Sequence, residues 1–354
     1  MDWYRKRTLG GLLTEAAARY GAREALVFED RRWTYAELEA ETDRVAKALI
    51  ALGVAPGERV ALWMTNRPEW LFLMFAIARV GACIVPLNTR YRTDDVAYTV
   101  TQSRSATIIT LDRSGPIDYQ GMLLESMNHV AANGDGTLAI DGYPDLRRLV
   151  VLGAPRADGF TAWEDFLAAG AEVSDAQLAA RAAAVDADGM MMICYTSGTT
   201  GHPKGVMHSH RPIRNTAERA QIFGLTCTDV HMNYLPLFHI YAFSEISMAC
   251  VMTGACQVLM DVFDAPRALD LAAQEGATLL HGFEAHWLDL LNAQAARPRK
   301  LAIRLGTLPS GSTAAARSAS RASLMVSPAA MKSSQAVKPS ARGAPSTTRR
   351  RRSG

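Results

Sequence analysis

Short apolar runs alternate along this chain with longer stretches in which apolar residues recur every three or four positions. The stretch 12–20 has helical spacing and a stop at Gly21, and 24–28 follows as a strand that turns through Glu29, Asp30 and Arg31. Thr34 with Glu37 three residues on predicts a capped helix, in which each side chain satisfies a free N–H of the other. Leu38, Val45, Ala48, Leu49 and Leu52 line one face of that helix, and Gly53 ends it. The run 59–64 is the next strand. Asn66 is placed to cap a helix with Pro68 and Glu69 in its first turn and an end near Gly81. Strand 82–85 stops at Pro86, a helix opens at Thr93, and 106–111 is again a strand. The Gly- and Asp-rich region 112–143 is poorly periodic and reads as loop. The alternation resumes with strand 149–152 and helices over 161–169 and 174–184. Strand 190–194 and a helix from about 208 to 223 come next. Strands 230–235, 257–260 and 277–281 then alternate with helices 244–253, 265–275 and 284–295. There is no internal repeat. Strands interleaved with helices predict an α/β architecture with largely parallel pairing.

Against this regular background one stretch stands out, Tyr195-Thr196-Ser197-Gly198-Thr199-Thr200-Gly201-His202-Pro203-Lys204-Gly205. It follows the apolar strand 190–194 directly and combines three glycines, four aliphatic hydroxyls and one lysine. Glycines let successive backbone N–H groups point into one concavity, hydroxyls add neutral donors, and Lys204 adds a positive charge. Such a loop suits a polyphosphate. A flexible Gly/Ser/Thr linker is the alternative, and the position between a strand and a helical stretch argues against it. The loop is not a Walker A motif, which places Gly-Lys-Ser/Thr after four spacer residues; here Pro203 precedes Lys204 and Gly205 follows it.

These residues resemble the signature loop of the adenylate-forming superfamily, which includes acyl-CoA synthetases, luciferases and peptide-synthetase adenylation domains. Further landmarks are similar to the same family: Trp33-Thr34-Tyr35-Ala36-Glu37-Leu38, the segment 78–88 ending in Pro86-Leu87-Asn88, and Gly205-Val206-Met207-His208-Ser209-His210. Leu235-Pro236-Leu237-Phe238-His239 and the segment 304–311 complete the set, so the resemblance covers residues 8–311 in order.

The resemblance implies the N-terminal domain of the adenylate-forming fold, built of layered α/β subdomains. It implies a reaction in which a carboxylate, such as a fatty acid, joins the α-phosphate of ATP and pyrophosphate leaves, with transfer to coenzyme A afterwards. Two anions must meet there, so the site has to neutralise charge. Thr196, Ser197, Gly198, Thr199, Thr200, Gly201 and Lys204 are the implied ATP-binding residues. Mg²⁺ bridging the phosphates would take a hydroxyl ligand from Thr199 or Thr200. His239, followed by Tyr241, reads from the residues alone as a core or rim histidine; the resemblance puts it beside the acyl-carboxylate pocket, with Tyr241. Phe283, Glu284 and Trp287 read either as lining of an acyl tunnel or as a core helix. His208, His210, His281 and His286 lack the spacing of a zinc site.

Charge sharpens the domain boundaries. The net charge of +3 comes from the end of the chain: from Gly311 onward there are nine Lys/Arg and no Asp or Glu. The preceding residues carry 29 basic against 35 acidic side chains, which argues against nucleic acid as a main partner. Residues 312–354 are rich in Ala, Ser and Arg, hold no aromatic residue, and end in four consecutive arginines before Ser353. That composition cannot bury enough apolar surface to order itself. A basic tail for nucleic acid or an anionic membrane is the other reading. Family members continue after this point with a Tyr-Gly-x-Thr-Glu motif and a C-terminal domain carrying a catalytic lysine, and neither is present. The expectation is therefore a truncated acyl-CoA synthetase, impaired in the complete reaction, with an unrelated tail produced by a shifted reading frame near codon 311. A peptide-synthetase adenylation domain and a non-catalytic nucleotide- or acyl-binding fragment are the rivals. The five cysteines show no C-x-x-C pairing and sit mostly in apolar runs, as buried thiols of a reducing compartment do. With no secretory h-region and no apolar run long enough to span a bilayer, a cytoplasmic location is expected.

Overall fold

The structure, a computed structural model, describes residues 5–127, 129–134, 136–196 and 202–308. The tail 312–354, expected above to be without order, lies outside the described residues. The alternating pattern resolves into two large sheets. The larger runs, edge to edge, Phe160–Ala162, Arg148–Leu152, Ser105–Leu111, Arg59–Trp63, Cys83–Pro86, Met190–Thr196 and Lys204–Ser209. All neighbours are parallel except the last pair, a hairpin. The smaller sheet runs Leu305–Thr307, Leu279–His281, Val230–Asn233, Cys256–Leu259, Glu24–Phe28 and Arg31–Thr34, again parallel until the final hairpin. The chain thus starts in one sheet, builds the other, and returns. Nothing in the local pattern distinguishes these memberships, because a buried parallel strand is simply an apolar run in either sheet.

Helix Pro68–Arg79 shows what the layers bury. Every residue from Trp70 to Ala78 is at most 3% exposed, so the helix is apolar all round and lies inside the protein. Trp70 meets Phe243 edge-on at 6.0 Å, which ties this helix to the segment Tyr241–Met248. Its one interior cation, Arg79, is neutralised by Glu39 at 2.6 Å and by Asp43. The predicted capping box at Thr34 is present, with Glu37 accepting from the Thr34 N–H at 2.8 Å, and the helix runs Tyr35–Ala51.

Three local readings are corrected. The region 112–143 is not all loop. It holds helix Tyr119–Ser126, capped by Asp118 accepting from the Gly121 N–H at 2.8 Å, and two small hairpins. Tyr119 and Leu123 are fully buried, and Tyr119 meets Trp63 edge-on at 4.8 Å, so tertiary contact holds a helix too short to announce itself. The helix expected from about 208 begins at Pro212 and ends at Ile222; before it, Lys204–Ser209 is a strand. That strand is at a sheet edge with neither face fully buried, so its sequence shows no alternation. The segment expected to open a helix at Ser244 already turns at Tyr241, as a π-helix to Met248 that continues into Ala249–Thr253. The five cysteines are unpaired and only Cys227 is not buried. Among the described residues no helix is long and apolar enough to cross a membrane.

Candidate active site

The hydroxyl- and glycine-rich loop joins two antiparallel strands instead of a strand and a helix. Thr196 closes Met190–Thr196 and is in register with Lys204, the first residue of Lys204–Ser209; both are exposed. The Thr196 hydroxyl donates to the Lys204 carbonyl at 3.5 Å, so the hairpin is cinched at the mouth of the loop. Ser197, Gly198, Thr199, Thr200 and Gly201 lie outside the described residues, and with them the expected magnesium ligands. The mouth is braced from one side by helix Thr93–Ser103. The Tyr98 ring stacks on His202 at 4.6 Å, and its hydroxyl donates to the Pro203 carbonyl at 3.4 Å. The Tyr195 hydroxyl donates to the Gln102 side chain. Gly205 is required by close approach: a Cβ there would lie 2.9 Å from Ile193 Cγ2 and 3.2 Å from the Tyr195 ring. The brace therefore holds Lys204 beside the carboxyl end of the parallel strand Met190–Thr196, where open α/β sheets take their ligands.

His239 sits on the loop after Val230–Asn233, likewise at a carboxyl strand end. It is exposed, so it is not a core histidine. Its Nδ1 accepts from the Tyr241 N–H at 3.3 Å, and its ring meets Phe283 edge-on at 6.0 Å. Partial desolvation pulls its pKa below the ordinary value. Behind it a buried polar chain runs inward. The Tyr241 hydroxyl pairs with Thr307 Oγ1, Thr307 Oγ1 lies 2.7 Å from His281 Nδ1, and His281 Nε2 lies 3.2 Å from His231 Nδ1. Burial keeps both histidines neutral, holding His231 down to about 4 and His281 well below its usual value. Trp287 belongs to the core, donating to the Gly282 and Thr307 carbonyls, Glu284 faces solvent, and Phe283 is half-buried beside His239 and Tyr241.

Asn66, expected as a helix cap, does something else. The residue at the cap position is Arg67, which makes no side-chain capping bond. Asn66 is 4% exposed; its Oδ1 accepts from the Leu237 N–H at 2.8 Å and its Nδ2 donates to the Leu235 carbonyl at 2.9 Å. It therefore clasps the backbone of the loop that carries His239. Burial raises the pKa of the Cys194 thiol, two residues before Thr196, and the nearby backbone of Ile240, next to His239, offsets part of that rise. Tyr98, Gln102, Thr307 and Asn66 were not among the expected site residues. No periodicity marks them; only the fold brings them to the loop and to His239.

Two parallel-rich sheets, the larger ending at its edge in a lysine-bearing hairpin, define an α/β class. The model of the AMP-binding enzyme family matches residues 13–338, and the chain belongs to that family. The match runs on into the Ala/Ser/Arg-rich segment. The chain is 35% identical over 278 residues to YngI of Bacillus subtilis (strain 168), covering 78% of this chain and 51% of that protein. It is 35% identical over 291 residues to the 3-[(3aS,4S,7aS)-7a-methyl-1,5-dioxo-octahydro-1H-inden-4-yl]propanoyl:CoA ligase of Mycobacterium tuberculosis (strain ATCC 25618 / H37Rv), covering 82% and 54%. The inhibitor-bound N-terminal domain of FACL13 from Mycobacterium tuberculosis superposes with a TM-score of 0.70 at 25% identity, covering 85% of this chain and 69% of that one. The chain spans about half the length of the curated relatives it matches.

Proposed function

We propose that this chain carries the ATP- and acid-binding half of an AMP-forming acyl-CoA ligase and supports the first half-reaction, adenylation of a carboxylic acid. The observation that carries the reading is the hairpin with Lys204 and Thr196 at its mouth, braced by Tyr98 against His202 and Pro203. No carboxylate lies within ion-pair distance of Lys204 among the described residues, which suits a triphosphate. In the proposed arrangement Lys204 meets the outer phosphates, while Thr196, Ser197, Thr199 and Thr200, with the Gly198 and Gly201 amides, hold the remaining oxygens. His239 and Tyr241 border the acid. A carboxylate oxygen then attacks the α-phosphorus, the acyl–O–P bond forms, and the bond to the β-phosphate oxygen breaks, releasing pyrophosphate. Charge on the departing phosphates would be met by Lys204 and the hydroxyl and amide donors of the loop. Magnesium, when bound, supplies further neutralisation of the phosphates, with Thr199 or Thr200 as its protein ligand.

Transfer to coenzyme A is proposed to depend on the half of the relatives' length that this chain does not match. A cytoplasmic location accompanies this reading. The test is ATP–pyrophosphate exchange over a panel of aliphatic and aromatic acids. Acid-dependent exchange supports adenylation. Saturable ATP binding without exchange, for any acid, assigns instead a non-catalytic nucleotide- or acyl-binding role.

A further inference from the structure

The strand Lys204–Ser209 has two ends, and only one belongs to the proposed active site. Thr196 pairs with Lys204 at the loop end, while Met190 pairs with Ser209 at the other. The five residue steps between Lys204 and Ser209 put these ends roughly 17 Å apart. At the far end the chain passes through His210 and Arg211 into helix Pro212–Ile222, and the N-terminal residues 5–7 cross in front of it. Between them is a cavity of about 480 Å³. We propose that this cavity is an anion site that takes a phosphorylated small molecule, separate from the ATP loop.

Charge, shape and a buried donor support it. The lining carries five cationic side chains, Arg5, Lys6, Arg7, Arg211 and Arg214, and a single carboxylate, Asp188. Asp188 pairs with Lys6, and Glu15 behind the lining takes Arg5 at 3.7 Å and Arg7 at 3.1 Å. Arg211 has no carboxylate within ion-pair distance among the described residues. The first turn of the 11-residue helix also lines the cavity, and its dipole adds positive potential there.

His210 is the built-in element. It is 4% exposed and lines the cavity, and its Nδ1 accepts from the Leu9 N–H at 2.9 Å. A neutral imidazole that accepts at Nδ1 carries its proton on Nε2. Desolvation, only partly offset by Asp186, pushes this histidine down to about 4, so at neutral pH it is that neutral donor. The Leu9 contact is the one side-chain hydrogen bond of His210 found among the described residues, and it leaves Nε2 for the cavity that the ring lines. A neutral buried donor ringed by cations matches phosphate oxygens. The volume fits a pyrophosphate or a mononucleotide. An extended polyanion would need a flat or grooved basic face, whereas this is a recess on a body that carries more acidic than basic groups.

Calorimetric titration of sodium pyrophosphate, and separately of inorganic phosphate, into the full chain bearing Lys204→Ala reads this site with the loop weakened. One saturable pyrophosphate site is expected, tighter than phosphate and weakened at high salt. Adding K6A and R211A, both exposed and away from the core, should weaken it about tenfold or more. His210→Phe should weaken it as well, and circular dichroism checks that each variant is folded. Absence of saturable binding to the Lys204→Ala chain overturns the proposal, as does binding that K6A and R211A leave unchanged. So does duplex DNA, or vesicles containing phosphatidylserine, binding in a Lys6- and Arg211-dependent manner while pyrophosphate does not; the recess would then belong to a macromolecular surface.

Discussion

Asn66 offers the sharpest test of how the site is held. If it were the helix cap its position suggests, Asn66→Ala would cost about 1 kcal/mol and fray the start of Pro68–Arg79. The clasp predicts more. Substitution leaves the Leu237 N–H and the Leu235 carbonyl without partners, on residues that are each 1% exposed. A buried backbone group stripped of its partner costs about 1–3 kcal/mol, so the loss of two should total about 2–6 kcal/mol. Urea unfolding followed by tryptophan fluorescence measures the total. Amide hydrogen exchange localises it, because the Leu237 amide should lose protection while residues of the helix's first turn keep theirs. Acid binding should weaken too, since the loop carrying His239 loses its anchor. A loss near 1 kcal/mol with unchanged protection at Leu237 would refute the clasp.

Lys204→Ala should weaken ATP more than AMP in calorimetry; equal losses would remove Lys204 from the outer phosphates. His239→Ala should alter acid binding while stability stays within about 1 kcal/mol, because the residue is exposed; a loss of several kcal/mol with unaltered acid binding would contradict the assignment. Acidification should destabilise the chain through His231 and His281. Both stay neutral when folded, and the unfolded chain binds a proton on each below about pH 6.5, so stability falls with pH by up to ~1.4 kcal/mol per unit per histidine. His231→Gln should flatten that slope between pH 7 and 5, and an unchanged slope would show the pair does not govern it. Sequencing the gene around codon 311 should reveal, in one alternative frame, a Tyr-Gly-x-Thr-Glu-like motif and a lysine-bearing domain; neither frame doing so would dispose of the frame-shift reading.

Much of the fold was legible in the residues because local physics and tertiary structure agree there. The strand Glu24–Phe28, the Thr34–Glu37 capping box and the apolar helix after Pro68 each follow from patterns within one element. The composition of the loop after Thr196 pointed to phosphate chemistry for the same reason: glycines, hydroxyls and a lysine carry their meaning locally. What the sequence could not determine depends on partners distant in the chain. Parallel strands look alike whichever sheet they join, so only the assembled fold sends Glu24–Phe28 to pair with Cys256–Leu259 and leaves Arg59–Trp63 to the other sheet. An edge strand with no buried face, Lys204–Ser209, offers no period to read. Asn66 is a plausible cap by sequence and a clasp by structure, because a polar side chain takes whichever backbone groups burial brings within reach, and here those lie 169 and 171 residues away.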